Sequence, residues 1–358
     1  PRPTGTQEAI LHLDTFKEIN PFGYSVKNNG TLADTAKMDE EPWVSLRAAA
    51  RAKKVRVIPT VMWSDGAAIH RILSNSKTRI ALEDEITALV KEKGFDGIDI
   101  DFEGKKAETK NYFSTFLKGL YQRMGKKWVM CTIEARTPLD SRFDTIPKDI
   151  KYANDFTAIN KYCDRVRLMT YDQGSIDLRL NEAAPGPYVP IADTRWVEKV
   201  ARLVLKTIPK NKIVIGVATY GYEYEVKPLL EEGYRYKLLW AFNPKYALEL
   251  AGTLALTPER NLAGELSFVY TPSAAISPAI SAAVATDTVL SNNVPPATTT
   301  FSGSATTTAS SAPFHILWWS DAQAIKDKVA LAKKLGVRGV AIFKIDGGAD
   351  PGIWEALR

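Results

Sequence analysis

Residues 95–103 read Phe-Asp-Gly-Ile-Asp-Ile-Asp-Phe-Glu, so that Asp99, Asp101 and Glu103 alternate with Ile98, Ile100 and Phe102. Side chains alternate across a β-strand that rises about 3.3 Å per residue, which puts the three acids on one face about 6.6 Å apart. Carboxylates that close cannot all ionise easily, and a proton retained on one of them is the starting condition for general acid–base chemistry. The competing reading is a solvated face of an antiparallel strand. Such faces mix Lys and Thr among their acids, whereas here Gly94 precedes the run, Gly104 follows it, and 105–124 reads as an amphipathic helix, which suits a buried parallel strand. Asp96 has the opposite parity and reads as a structural hydrogen-bonding residue.

A strand with an apolar outer face and an acidic inner face is what a barrel presents around a reaction centre at the carboxyl ends of its strands. Short apolar runs at 19–26, 55–63, 95–103, 128–135, 166–171, 213–222 and 339–346 alternate with helical stretches such as 78–92 and 320–335, the pattern of parallel βαβ units. In the last helix Ser320 is the expected N-cap and Gly336 the stop. With 358 residues, 45% apolar and 10% aromatic, the chain exceeds the roughly 250 residues of a (β/α)8 TIM barrel. The expected fold is therefore α/β, a TIM barrel whose first strand is not evident. Only seven strands are counted, and the Pro-, Thr- and Gly-rich residues 1–9 do not read as a buried eighth. Residues 223–338 are too many for one crossover. A small α+β insertion between strands 7 and 8 is expected, with strands at 234–240 and 265–270 and a helix at 243–251. The resulting division is 1–222 for the first part of the barrel, 223–313 for the insertion and 314–358 for the last part. Within the insertion, 273–312 is dominated by Ala, Ser, Thr, Pro and Val with Asp287 as its one charge, and reads as a flexible surface loop.

Composition excludes other classes. The net charge of +6 comes without a Lys/Arg cluster interleaved with aromatics, so no nucleic-acid partner is expected. No apolar run of about 18 residues suggests a membrane span, and no charged-then-apolar leader opens the chain. Cys131 and Cys163 make no disulfide framework and carry no metal-ligand spacing; both read as small core residues. His12, His70 and His315 read as surface or packing residues.

The acidic run resembles the signature of the family 18 glycoside hydrolases, Asp-x-x-Asp-x-Asp-x-Glu, matched in full by Asp96, Asp99, Asp101 and Glu103. Leu168-Met169-Thr170-Tyr171-Asp172 is similar to that family's Met-x-Tyr-Asp, Val217 through Tyr222 to its seventh-strand segment, and Trp318-Trp319-Ser320-Asp321-Ala322 to the element before its last helix. The resemblance implies a substrate-assisted reaction without metal or organic cofactor. Glu103 would be the acid and then the base, Asp101 would orient the substrate's 2-acetamido group, Asp99 would share a proton with Asp101, and Tyr171 would donate to the acetamido oxygen beside Asp172.

Sugar rings also need aromatic floors and polar walls. Trp63, Tyr220, Tyr222, Trp319 and Phe343 lie near strand ends and are candidates, with Met169, Glu134 and Arg136; the last two are equally consistent with a structural ion pair. The chain departs from the family's chitinases in having Thr60-Val61-Met62-Trp63-Ser64-Asp65-Gly66 where they carry Ser-x-Gly-Gly, and Phe343 where they carry Trp. Residues 20–26 and 220–222 look more like the branch acting on spore cortex and peptidoglycan. The expectation is a monomeric retaining glycosidase cutting β-1,4 bonds beside N-acetylglucosamine, in chitin-type oligomers or peptidoglycan and, third, N-glycans, outside the cell or in its envelope. The alternatives are a non-catalytic glycan-binding protein of lectin type and an interaction module built on the Ser/Thr/Ala-rich loop.

Overall fold

Each expected run becomes a strand, and two of them break where proline removes a ladder donor. The computed structural model describes residues 3–229, 233–272 and 312–358. Pro21 separates β1 (Glu18–Ile19) from β2 (Phe22–Val26), and after β3 (Leu32–Asp34) Pro59 separates β4 (Arg56–Val57) from β5 (Thr60–Trp63). There follow β6 (Gly97–Phe102), β7 (Trp128–Glu134), β8 (Arg165–Met169), β9 (Ile213–Ala218), β10 (Gly221–Pro228), β11 (Tyr234–Phe242), β12 (Glu259–Arg260), β13 (Leu266–Tyr270), β14 (Phe314–Trp319) and β15 (Gly339–Phe343). The principal sheet runs β15-β9-β8-β7-β6-β5-β2-β3, parallel except for β3, which forms an antiparallel hairpin with β2. β1 pairs with β4 and extends the paths of their successors.

Strand β6 lies inside this sheet and is buried along its whole length. Its register sets Asp99 beside Thr60 and Asp101 beside Met62 on β5, and Asp99 beside Met130 on β7. Phe102, on the opposite parity, packs on Phe113 and Phe116 of the helix Lys110–Met124 at ring separations of 6.0 and 5.4 Å. Asp96 accepts from the Val57 N–H at 2.8 Å, the structural role its parity implied. Asn75 caps the helix Ser76–Glu92 by accepting from two of its first N–H groups. For the helix Ala322–Leu335 the cap is Asp321, whose carboxylate reaches the Ala324 N–H, in place of the expected Ser320; Gly336 ends it at φ +64°.

The structure departs from the sequence expectation in four further places. Residues Pro3–Leu11 form a helix where no regular element was expected. It approaches the segment after β15 so closely that a Cβ at Gly5 would lie 2.6 Å from the Ile345 carbonyl oxygen. The expected run 213–222 is two strands in two sheets. The chain turns at Thr219, whose hydroxyl donates to the Lys344 carbonyl and accepts from the Lys344 N–H. Phe314–Trp319, expected in the last part of the barrel, is the middle strand of a second sheet, β11-β10-β14-β13-β12, entirely antiparallel. Finally Cys131 and Cys163, both fully buried as expected, are not separate thiols: they are joined in a disulfide with Cα atoms 6.0 Å apart, within the reach a bridge requires.

The smaller sheet carries its own core, in which Phe242, Phe268, Leu317 and Trp319 pack on Tyr246 and Leu250 of the helix Pro244–Thr253. Its strands and helix match the expected α+β elements at 234–240, 265–270 and 243–251; the expected loop 273–312 lies almost wholly outside the described residues. No helix among the described residues is long and apolar enough to cross a membrane.

Candidate active site

Asp99 and Asp101 of β6 and Glu103 just past its end share one parity, and their surroundings differ. Asp99 is fully buried and saturated. It accepts from the Thr60 hydroxyl at 2.9 Å, from the Thr132 hydroxyl at 2.9 and 3.1 Å, and from Arg167 Nη1 at 3.3 Å. Asp101, 2% exposed, has a buried Oδ1 with no partner. Burial, reinforced by the charges of Asp99 and Glu103, pushes its carboxyl well above the usual range. Glu103 follows the end of β6 and anchors its own N–H to the Trp63 carbonyl at 2.8 Å. Burial first, then repulsion from Glu134 and Asp172, raises its carboxyl against the opposing pull of Lys105.

Beside Glu103 the chain turns through Gly104, at φ +61°, and donates the Gly104 N–H to Glu134 Oε1 at 3.1 Å. Glu134 Oε2 takes the Asn154 amide at 2.7 Å and the Lys105 ammonium at 3.4 Å. Burial alone would raise Glu134; Lys105 and these hydrogen bonds outweigh it and hold the carboxyl low. Glu134 is therefore held low while Glu103 is raised, and a separation of this kind among neighbouring carboxyls is what acid–base chemistry uses. Of the two readings left open for Glu134 and Arg136, substrate contact or a structural ion pair, the direct pair does not form: Lys105 takes that place, folded back so that it also donates to the Phe102 carbonyl. Arg136 instead lies between the rings of Tyr152 and Phe156.

An aromatic wall faces the acids. The Tyr171 ring stacks on Phe343 at 5.2 Å and 16°, and Tyr220 stands edge-on to both at 6.3 and 6.1 Å. Tyr220 and Tyr222 donate their hydroxyls to the same oxygen of Asp172, at 2.5 and 2.6 Å. Asp172 has φ +57°, rare for a residue with a side chain, and the surrounding bonds hold it there. Next to it Gln173 uses both ends of its amide, accepting from the Asp193 N–H at 2.7 Å and donating to the Tyr188 hydroxyl at 3.2 Å. Asp172 lies at the surface. The protein packed around its carboxylate raises it, and the two phenol bonds pull it back.

Asp99, Asp101, Glu103, Glu134, Tyr171, Asp172, Tyr220, Tyr222 and Phe343 are thus linked by contacts or by charge at the carboxyl ends of β6 to β9 and β15, with Met169 beside Glu134 in the β7–β8 register. Arg136 stands apart between its two rings, and two aromatic candidates lie elsewhere. Trp63 has the outward parity of β5 and packs edge-on to Phe102 at 5.4 Å, between sheet and helix. Trp319 is buried in the smaller sheet's core against Phe242 and Phe268. Sequence reasoning missed Thr60, Thr132, Arg167, Lys105 and Asn154. Arg167 left a signal, a charge alternating with Val166 and Leu168 inside a strand; Lys105 left none, since its neighbour Lys106 is exposed. The histidines pack or pair: His12 stacks on Trp354 at 3.9 Å, His70 contacts Thr109 at 3.0 Å, and His315 Nδ1 lies 2.6 Å from buried Glu223.

Comparison with known proteins gives one family model, described as glycosyl hydrolases family 18, matching residues 7–348. The cortical fragment-lytic enzyme of Bacillus subtilis is 25% identical over 381 residues, covering 99% of this chain and 72% of that protein. An uncharacterized glycosylase of the same organism, YvbX, is 24% identical over 296 residues, 82% of this chain and 70% of its own. Among solved structures, the spore cortex-lytic enzyme SleL of Bacillus megaterium superposes with a TM-score of 0.71 at 20% identity, covering all of this chain and 70% of that one. The chitinase-like agglutinin of Robinia pseudoacacia gives 0.65 at 16% identity, covering 99% and 96%. At these identities the structures show a shared fold.

Proposed function

Because the chain belongs to family 18 of the glycosyl hydrolases, we propose that it is a retaining glycosidase that cleaves β-1,4 bonds next to N-acetylglucosamine, in chitin-type oligomers or peptidoglycan, outside the cell or in its envelope. The observation that carries the reading is the buried, partnerless Oδ1 of Asp101 two residues before Glu103. An acetamido N–H supplies the donor that oxygen lacks. The principal sheet then serves as the barrel of the fold, with the smaller sheet as its insertion.

In this mechanism Glu103 gives its proton to the glycosidic oxygen as the C1–O bond breaks. The substrate's acetamido oxygen attacks C1 to form an oxazolinium ion, and the leaving sugar departs with the proton. Glu103, now a carboxylate, takes a proton from water as that water attacks C1; the bond from C1 to the acetamido oxygen breaks, its electrons restore the amide, and the configuration at C1 is retained. This route dispenses with a protein nucleophile and is a known exception to the two-carboxylate scheme. Asp101 orients the acetamido group and balances the positive charge that develops on it. Tyr171 faces the same group, and Asp99, tied to Arg167 and two threonines, fixes the negative field beneath Asp101.

Incubating the purified chain with N-acetylglucosamine tetramer and with isolated peptidoglycan, with Glu103→Gln as control and products read by mass spectrometry, tests the reading. Cleavage lost in the variant is the expected result; a fully active variant would remove Glu103 from the acid's role. The likeness to the agglutinin supplies a second reading, a glycan-binding protein without turnover. Binding of the tetramer by the unaltered chain with no cleavage of either substrate would favour it.

A further inference from the structure

Beyond Glu134 the site changes from acidic to basic. Segment 150–156 folds over Arg136, whose guanidinium lies 3.7 Å from the ring centre of Tyr152 and 4.0 Å from that of Phe156 and donates to the Asn154 carbonyl at 2.8 Å. With Lys110 and Lys151 these residues line a cavity of about 470 Å³. The carboxylates nearby are committed. Asp155 pairs with Lys110 at 3.5 Å and caps the helix Phe156–Tyr162 through the Thr157 and Ala158 N–H groups. Glu134 is held by Lys105, Asn154 and the Gly104 N–H. Among the described residues neither Arg136 nor Lys151 has a carboxylate within the 4.0 Å of an ion pair. Asn154, also in the lining, gives its amide N–H to Glu134, and its Oδ1 is buried without a partner. Two cations without a carboxylate partner match a group that presents a carboxylate, as an acylated amino acid does.

We propose that this cavity binds the carboxylate-bearing peptide substituent of a glycan whose N-acetylglucosamine unit lies over Asp101 and Glu103, so that the substrate class is a peptide-substituted, acidic glycan in preference to a neutral one. The inference rests on the glycosidase reading above. The distances permit it: hydrogen bonds of 3.1 and 2.7 Å through Glu134 join Gly104, the neighbour of Glu103, to Asn154 at the cavity wall. A peptide of a few residues, at about 3.3–3.6 Å each when extended, spans that gap.

The test uses Glu103→Gln, which separates binding from turnover. Calorimetry measures its affinity for a muropeptide (disaccharide with peptide stem) with free carboxylates, for the same muropeptide with those carboxylates amidated, and for N-acetylglucosamine tetramer. The free-carboxylate ligand is expected to bind about tenfold tighter than its amidated form, and adding Arg136→Gln or Lys151→Gln is expected to remove most of that advantage. Should Arg136→Gln not fold, Lys151→Gln, at an exposed position, carries the test alone. Equal affinity for the free and amidated ligands, or a preference that survives the substitutions, would overturn the proposal. If the tetramer binds Glu103→Gln and is cleaved by the unaltered chain while no carboxylate preference exists, the cavity proposal fails and the glycosidase reading stands. If none of the three binds and the unaltered chain cleaves nothing, both fail.

Discussion

Asp101 and Glu265 are buried to nearly the same degree and treated in opposite ways. Glu265, at the start of β13 in the smaller sheet, accepts from the Ile191 and Ala192 N–H groups at 2.8 and 2.9 Å and pairs with the fully buried Lys328 at 3.5 Å. In the same sheet Glu223, on β10, accepts from Tyr270 at 2.6 Å and Tyr246 at 3.3 Å and meets His315. Asp101 has like charges on either side of it along β6 and an oxygen left empty. Burying a carboxylate without partners costs several kcal/mol, and folded proteins rarely tolerate it without a function. Full burial therefore does not separate Asp101 from Glu265; unmet hydrogen-bonding capacity does.

Four substitutions press on that contrast. Glu103→Gln should cost on the order of 10⁴-fold in kcat, the upper range for removing a general acid, with melting temperature little changed. Asp101→Asn should lower kcat by about 10²–10³-fold, as for loss of one electrostatic stabiliser of a transition state. Its stability should move the other way. The folded Asp101 carboxyl is held above its unfolded value, so the stability it carries at low pH is lost as pH rises through the folded value. Asparagine removes that loss, and the variant's advantage in melting temperature should grow from acid to neutral pH. A lower melting temperature for Asp101→Asn at neutral pH would break the contrast. In the smaller sheet, Lys328→Met leaves Glu265 buried without its cation and should cost about 3–5 kcal/mol in denaturant unfolding. The smallest effect is a shift in pH dependence. Glu134→Gln removes a repulsion that, after burial, raises Glu103, and frees Lys105 to oppose it, so the alkaline limb of kcat/KM should move to lower pH. A limb that stays in place would show that burial alone sets the acid.

The acids themselves were legible because alternation is a local property: Ile98, Ile100 and Phe102 fix which side Asp99, Asp101 and Glu103 share. Their partners were not, since Thr60, Thr132 and Arg167 meet Asp99 only through the pairing of β5, β7 and β8 with their neighbours. Parity counted from Thr60 would have turned Trp63 away from the site, whereas nothing local distinguishes Trp319, placed in a core that needs four strands and a helix to exist. The Cys131–Cys163 bridge joins positions 32 residues apart and is likewise tertiary. The alternation of strands and helices located the principal sheet, but not the helix Pro3–Leu11, whose Pro- and Gly-containing sequence carries no apolar stripe.

The excursion between β9 and β15 bears on the order in which the protein is completed. Thr219 and Lys344 exchange hydrogen bonds across 125 residues, and Ser320 returns to donate its N–H to the Tyr220 carbonyl at 3.2 Å, so the smaller sheet leaves and rejoins the principal one at adjacent points. Once that sheet folds, the long connection behaves as a short tether, and the cost of closing it falls accordingly. Yet Phe343 still emerges from the ribosome some 240 residues after Glu103, a separation read from their positions in the chain. A nascent chain can therefore have its acids in register while the ring that stacks on Tyr171 has not yet been made.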